Sequence, residues 1–215
     1  YIAFDRRAAK FSLTASGETH LLNTSQTIRA LFVVDQVLVA CYPNHTSLNG
    51  NFTSLDLTSG LIISTRAYSA HNWLGFSIAP TLKRLFGFTT NMSPLEIQAL
   101  PFDAAGVLGE VINDPTHGSF AIATQTWVTP DESLVVANSG VMYSTATLDF
   151  QNSLGQPFEA LTFASSGPVV LRGSSLVSFS NTYLETGRYT LAAAPQGIFS
   201  AGDTIYLNSG EPNAP

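Results

Sequence analysis

Short runs of alternating apolar and polar residues recur along the whole chain, and each run ends in a glycine-containing turn. The runs are FSLTASG, LDLTSG, LPFDAAG, LDFQNSLG and YTLAAAPQG, which end at Gly17, Gly60, Gly106, Gly155 and Gly197. Alternation over four to eight residues is typical of a half-buried β-strand. The glycines follow one another at intervals of 42 to 49 residues, which indicates an internal repeat.

Two further columns support this repeat. A more apolar run precedes the glycines, as VLVACYP (37–43), RLFGFTT (84–90), SLVVANSG (133–140) and SLVSFSN (175–181). An aromatic residue opens each unit, at Phe32, Trp73, Trp127, Phe163 and Phe199. Each unit therefore holds three or four short strands separated by Gly, Pro, Asn and Ser turns. Sustained helical periodicity is missing, and the best helical candidate, residues 80–86, is one or two turns long.

A unit of this length with about four strands resembles a blade of the β-propeller repeat proteins. The resemblance covers the whole chain, and residues 129–155 are most similar to a bacterial-style propeller repeat. WD40, kelch and sialidase signatures are absent, so no specific family is indicated. The resemblance implies an all-β fold, a single five-bladed β-propeller of four-stranded blades spanning residues 1–215. A sandwich or jelly roll is the alternative.

The two ends of the chain complement each other. FSAGDTIYLNSGE near the C-terminus is similar to residues 163–175, the start of a unit, whereas the first 17 residues are similar to 176–197, the end of one. We therefore expect a C-terminal strand, residues 203–207, to close the ring by completing the blade begun at Tyr1. Closure within one chain is favoured, and donation of the strand to a neighbouring chain is the alternative.

Composition narrows the function classes. Only 11% of the residues are charged and 45% are hydrophobic, against roughly 25% charged in ordinary domains. The surface is therefore covered largely by hydroxyl and amide groups, which excludes a coiled coil or a charged disordered tail. A net charge of −6 with nine Lys and Arg argues against nucleic-acid binding. The chain lacks an apolar run of 18 residues, so no membrane span is expected.

Four N-x-[ST] sequons point to a secreted, glycosylated protein, although unused sequons would look the same. The candidate glycosylation sites are Asn23, Asn44, Asn51 and Asn91. Cys41 is the only cysteine, so an intrachain disulfide is impossible, and its apolar context predicts a buried side chain. The chain begins at Tyr1 with neither an initiator Met nor a signal peptide, as expected of a processed or excised chain.

Few residues suggest chemistry. Trp73 and Trp127 could stack against a ligand, but large side chains repeated once per unit are more typical of core packing. The four histidines, His20, His45, His71 and His117, form no metal-binding motif, and we predict neither a metal nor another cofactor. Arg6, Arg7 and Lys10 form a local basic spot, most simply a solvated hairpin tip.

Acidic residues near the first strands allow a glycosidase hypothesis, because five-bladed propellers include glycoside hydrolases that use two carboxylates. The candidates are Asp35, Asp131, Glu132 and Asp203. Their positions within the units differ and the loops are short, so turn-forming roles are favoured for Asp131 and Asp203.

Three functions follow in order of preference. The first is a non-enzymatic extracellular module for binding or structural assembly at a cell surface, in a matrix or in a filament, with protein partners or identical subunits. The second is a carbohydrate-binding, lectin-like propeller. The third is a small glycoside hydrolase or lyase.

Overall fold

The chain is all-β. The computed structural model describes residues 2–4, 7–11, 18–23, 27–42, 52–66, 73–90, 93–121 and 123–208, with the first three of these segments described as backbone strands. Two compact units result, Tyr1–Ser119 and Phe120–Pro215, called unit 1 and unit 2 below. Among these residues there is no helix, and hence no candidate membrane-spanning helix. The helical candidate at 80–86 is instead a hairpin turn followed by a strand.

The described residues of unit 1 form one three-stranded sheet and two four-stranded sheets, all antiparallel, in orders β1-β2-β3, β4-β5-β6-β7 and β8-β9-β10-β11. The described strands of unit 1 are β1 (Ile2–Phe4), β2 (Arg7–Phe11), β3 (Glu18–Asn23), β4 (Ala30–Val34), β5 (Val37–Cys41), β6 (Phe52–Asp56), β7 (Ile62–Arg66), β8 (Trp73–Ala79), β9 (Arg84–Thr89), β10 (Ile97–Pro101) and β11 (Ile112–Asn113).

Unit 2 contains two four-stranded sheets, in orders β12-β13-β14-β15 and β16-β17-β18-β19, and the two-stranded sheet β20-β21. Its described strands are β12 (Thr126–Val128), β13 (Leu134–Ala137), β14 (Val141–Ser144), β15 (Phe150–Ser153), β16 (Ala160–Ala164), β17 (Gly167–Arg172), β18 (Ser175–Phe179), β19 (Glu185–Thr190), β20 (Gly197–Ala201) and β21 (Thr204–Asn208).

The second and third strands of each four-stranded sheet form the core. All five residues of β5 are buried, as are most residues of β9, β10 and β17, whereas β19 is almost entirely exposed. A strand buried on both faces reads as a continuous apolar run rather than an alternating one. This explains the VLVAC pattern of β5 and the polar pattern ETGRYT of β19.

Neighbouring sheets pack face to face within each unit. In unit 1 the shared core joins β4–β6 to β8–β10 around Phe52 and Trp73, whose rings meet edge to face with centroids 5.0 Å apart. In unit 2 it joins β13 and β14 to β16–β18 around Met142 and Val170. Cys41 is fully buried and reduced, as predicted, and burial raises the pKa of its thiol well above the usual value. A buried neutral thiol is unreactive.

The repeat is real, but the glycine column mixes different turns. Gly60 and Gly106 lie between the third and fourth strands of their sheets, whereas Gly155 follows a fourth strand and Gly197 begins β20. Glycine suits any turn that needs positive φ, so it marks turns without marking which turn. The aromatic column is the dependable one, because Phe32, Trp73, Trp127, Phe163 and Phe199 all lie on first strands.

The C-terminal strand predicted at 203–207 is present as Thr204–Asn208, but it is the second strand of a hairpin rather than the first strand of a sheet. Ala201 pairs with Thr204, which leaves a two-residue turn in which Gly202 adopts φ +58°. A glycine at the first turn position is typical of a two-residue type II′ hairpin. Among the strands that the structure describes, β21 is hydrogen-bonded to β20 alone.

Candidate functional site

Unit 2 contains a cleft of about 590 Å³ at the ends of its first strands. Its walls are the turns that join the first and second strands of three successive sheets, represented by residues 129–131, 163–168 and 200–202. The turn between β18 and β19 contributes Asn181 and Tyr183. A concave site of this volume is in the range that accommodates a small ligand or a protruding side chain.

Asp131 is the charged side chain of this cleft, and its turn holds it in place. The Thr129 hydroxyl donates to Asp131 Oδ1 at 2.6 Å, the Ser133 backbone N–H donates to the same oxygen at 3.1 Å, and the Ser133 hydroxyl donates to Oδ2 at 2.8 Å. These bonds, led by the one from Thr129, lower the pKa of Asp131 below its usual value. The turn-forming role expected for Asp131 is therefore confirmed, and the side chain is a fixed carboxylate at neutral pH.

Tyr183 provides an aromatic wall in a strained backbone conformation. Its φ is +64°, which is uncommon for a bulky residue. Its backbone N–H donates to the Ser180 carbonyl at 2.9 Å, which closes the turn. Burial, and then the negative charge of Asp131, raise the pKa of the Tyr183 hydroxyl. Strained residues of this kind concentrate at functional sites, where the surrounding structure enforces them.

Hydrogen bonds made by side chains join the other two walls, the β16–β17 and β20–β21 hairpins. The Ser200 hydroxyl donates to the Phe163 carbonyl at 2.7 Å and lies 2.8 Å from the Thr162 hydroxyl, so the first strands β16 and β20 are linked directly. The Ser165 hydroxyl donates to Asp203 across the neighbouring hairpin turns. The cleft is therefore built on connected turns, which is the arrangement expected of a preformed site.

Unit 1 has a smaller cleft, of about 410 Å³, in the corresponding place between two successive first-hairpin turns. Asp35 in the β4–β5 turn and Lys83 in the β8–β9 turn line it together with Val33, Val34, Pro80 and Thr81. Lys83 Nζ lies 2.5 Å from Asp35 Oδ2, so the carboxylate is paired within the chain.

The sequence candidates for catalysis fall in both units. Asp131 lies in the cleft of unit 2 and Asp203 beside its lining residue Gly202, whereas Asp35 belongs to unit 1. A glycosidase needs one carboxyl group that remains protonated as general acid, with a raised pKa. The pKa of Asp131 is instead lowered, and both of its oxygens accept bonds from its own turn. Asp131 is therefore a poor general acid.

The ligand-stacking interpretation of Trp73 requires correction. Its side chain has 0% exposure, because it packs between Phe52 and Phe76 in the core of unit 1. Trp127 is half-buried against Phe158, with ring centroids 5.5 Å apart, and it does not line the cleft of unit 2. Both tryptophans thus serve the packing of their sheets.

The glycosylation candidates fall largely outside the described residues. Asn44, Asn51 and Asn91 lie outside them, as do His45, His71 and Arg6. Asn23 ends strand β3, opposite Arg7, and its side chain is outside the description, as are the side chains of Lys10 and His20. Nothing described therefore bears on the four sequons.

His117 is exposed, and its Nδ1 lies 3.4 Å from a carboxylate oxygen of the buried Glu96. Across the part of the chain that the structure describes, His, Cys, Asp and Glu form no group of three or more that could hold a metal ion. His117 thus belongs to a local loop contact in unit 1.

Sequence reasoning missed Asn181, Tyr183 and Ser165 as cleft residues. They come from turns of two different strand pairs, and their local sequences, SNTYL and ASSG, resemble other turns of the chain. The signal that could have singled out Tyr183 is its bulky ring inside a Ser- and Asn-rich turn. That signal is weak, because the positive φ shows itself only in the folded backbone.

Comparison with solved structures gives the architecture. The chain is similar to the WD40 β-propeller domain of Doa1, with a TM-score of 0.62 at 11% identity, over 96% of this chain and 70% of that one. It is also similar to the computationally designed Ika8 protein, with a TM-score of 0.62 at 10% identity, over 87% of this chain and 57% of that one. The chain has a β-propeller fold. No protein-family model matches it, and no curated protein does.

The β-propeller fold identifies the repeated four-stranded sheets as blades. The resemblance inferred from the sequence is thereby confirmed at the level of fold, with no specific family attached. At identities of 10 and 11% the likeness concerns architecture alone.

The bonds to Asp131 predict a change in acid stability. Because its folded-state pKa is lowered, Asp131 stabilises the fold above its unfolded-state pKa near 4, and this contribution is lost as the pH falls through the lower folded-state value. Asp131→Asn should therefore unfold at lower urea than the wild type at pH 7, with the difference shrinking below pH 4.

Urea unfolding between pH 3 and pH 7 measures this effect. Asp149→Asn is the matched control, because it removes the same charge from an exposed turn outside the cleft. A difference between Asp131→Asn and the wild type that stays constant from pH 7 to pH 3 would contradict the role given to these bonds.

Proposed function

We propose that the chain is a non-enzymatic β-propeller module for binding and structural assembly, with protein partners or identical subunits. The observation that carries the proposal is the cleft of unit 2. It combines the fixed carboxylate of Asp131, the aromatic side chain of Tyr183 and turns that are joined by hydrogen bonds. These features favour binding of a ligand over catalysis, because the lowered pKa of Asp131 makes it a poor general acid. Propeller scaffolds commonly present such sites on hairpin turns while the buried strands stay constant.

A lectin-like function is the second candidate. Phe163 and Tyr183 offer ring surfaces, and Asn181, Ser165 and Ser200 offer polar groups, in one cleft. Aromatic faces combined with amides and hydroxyls suit sugars as well as peptides. The cleft of unit 2 differs in its lining from its counterpart in unit 1, which favours unequal sites over five equivalent ones.

A cleft-blocking variant tests the binding function. Ala164→Trp should fill the cleft, and Ala104→Trp, at an exposed turn of unit 1, is the matched control. Backbone amide shifts are recorded by NMR against a panel of methyl glycosides, alkylammonium and alkylguanidinium salts and carboxylates. At least one class should shift amides of the cleft in the wild type and in Ala104→Trp, but not in Ala164→Trp. Equal shifts in both variants would remove the cleft as the binding site.

We further propose that the ring has five blades and closes within one chain, so that residues 1–215 form a single domain. The sheet β20-β21 supports this, because it exposes a stacked aromatic pair, Phe199 at 56% and Tyr206 at 45%, together with Leu207 at 42%. A two-stranded sheet is marginally stable alone, and an open edge invites another strand. We propose that the C-terminal strand completes the blade that the N-terminal strands begin.

Truncation tests this closure. Removing residues 203–215 deletes β21, whereas removing 209–215 keeps it and serves as the control. The first truncation should lower the unfolding temperature while the second does not, and light scattering should give the monomer mass of 22.9 kDa for the full chain. A full-length polymer that the first truncation dissolves would mean that strands are exchanged between chains. An unchanged unfolding temperature would refute closure through β21.

We also propose an extracellular location, which the four sequons support. When expressed through a eukaryotic secretory pathway, the chain should lose mass on treatment with an N-glycosidase. Single replacements of Asn23, Asn44, Asn51 and Asn91 by Gln should each remove one glycan's share of that loss. Asn138→Gln, outside any sequon, is the control, and a chain of unmodified mass in the secreted medium would count against glycosylation.

A further inference from the structure

The clefts of unit 1 and unit 2 are built on the same plan, each within its own unit. Each includes the first-hairpin turns of two successive blades, β4–β5 and β8–β9 in unit 1 and β12–β13 and β16–β17 in unit 2, and the unit 2 cleft is also lined by the β18–β19 and β20–β21 turns. In each, the first of the two turns contributes an aspartate, Asp35 or Asp131. A comparison of the two clefts therefore shows what each one lacks.

Unit 1 supplies its own cation. Lys83, from the second turn, reaches Asp35 at 2.5 Å and is only 23% exposed, so its ammonium group occupies the place between the two turns. In unit 2 the second turn is the shorter Ser165–Ser166 pair, which carries no charge. Among the lining residues of that cleft, all of which the structure describes, Asp131 is the one charged side chain. The position filled by a cation in unit 1 thus has no built-in cation in unit 2.

The surroundings of Asp131 suit a cation from outside. Hydrogen bonds from Thr129 and Ser133 keep the carboxylate ionised, and its negative charge adds to the effect of burial in raising the pKa of Tyr183, which also lines the cleft. Tyr183 and Phe163 also line this cleft. A cation beside a carboxylate and an aromatic face gains from both the ion pair and the ring quadrupole. A neutral sugar would form neither the ion pair nor the cation–π interaction.

We propose that the unit 2 cleft binds an organic cation, an ammonium or guanidinium group of the kind carried by lysine and arginine side chains. The ion pair with Asp131 takes the role that Lys83 plays toward Asp35 in unit 1. This inference rests on the proposed binding function and names its ligand class. It is independent of the proposed ring closure, because the cleft is formed by residues 129–202.

The test is an NMR titration of the wild type with n-butylguanidinium chloride at 50 mM salt, with methyl α-glucoside as the neutral probe. The guanidinium should shift backbone amides of the cleft, including Ser165 and Tyr183, and the glucoside should not. Asp131→Asn should weaken guanidinium binding at least fivefold, whereas Asp149→Asn should stay within twofold of the wild type. Raising the salt to 0.5 M should weaken binding further, because a partly exposed ion pair is screened.

A second variant supplies the missing cation from the chain itself. Ser165→Lys places an ammonium group on the turn that corresponds to that of Lys83, and it should abolish guanidinium binding while keeping the wild-type circular dichroism spectrum. The source of the cation is distinguished with the peptide acetyl-Gly-Arg-Gly-amide. Tighter binding of the peptide than of n-butylguanidinium indicates a side chain of a protein partner, and equal binding indicates that a free cation suffices.

Three results would overturn the inference or its basis. Guanidinium binding that is unchanged in both Asp131→Asn and Ser165→Lys would overturn it. Binding of the glucoside without binding of the guanidinium would overturn it and leave the proposed binding function standing as a lectin. Binding of no probe, in this titration and in the wider panel, would remove the cleft as a binding site and the proposed function with it.

Discussion

Burial of the second and third strands of the four-stranded blades is the constraint on which the rest of this structure depends. A strand such as β5, with all five residues buried, is stable only when sheets cover both of its faces. Face-to-face stacking of successive sheets meets that requirement, and it places Trp73 and Phe52 in one core and Met142 and Val170 in another. The blade is thus a packing unit that cannot be completed alone.

Because of the same constraint, the residues that differ most between blades lie in the turns rather than in the buried strands. Because the buried strands are committed to packing, polar side chains gather where strands reverse direction, and Asp35, Lys83 and Glu132 all adopt positive φ in such turns. The turns are held by side-chain bonds to the backbone, as Asp131 shows, so their polar groups are fixed rather than free. A rigid scaffold that presents fixed polar groups in a cleft is well suited to recognition.

The turns between strands differ from one repeat to the next, and this explains which predictions from the sequence were right and which were wrong. The aromatic column marked the first strand of each of the five repeats. One large side chain in each repeat packs in a similar place. The glycine column did not mark the same turn in every repeat. Gly60 lies between the third and fourth strands of its sheet and Gly155 follows a fourth strand, although the two turns look alike in sequence. The C-terminal segment was read as one strand, since a two-residue turn at Gly202 leaves little sequence between β20 and β21.

The sequence by itself determined the class of fold, the repeat, the burial of Cys41 and the turn role of Asp131. These follow from local periodicity and from residue types whose preferences act over a few positions. Only the tertiary structure decided that Trp73 is enclosed by Phe52 and Phe76, and that Asp131 and Tyr183 share a cleft. The physical reason is that strand pairing joins residues far apart in the chain. Which turns then meet depends on how whole sheets stack, and that information is not carried by any short segment.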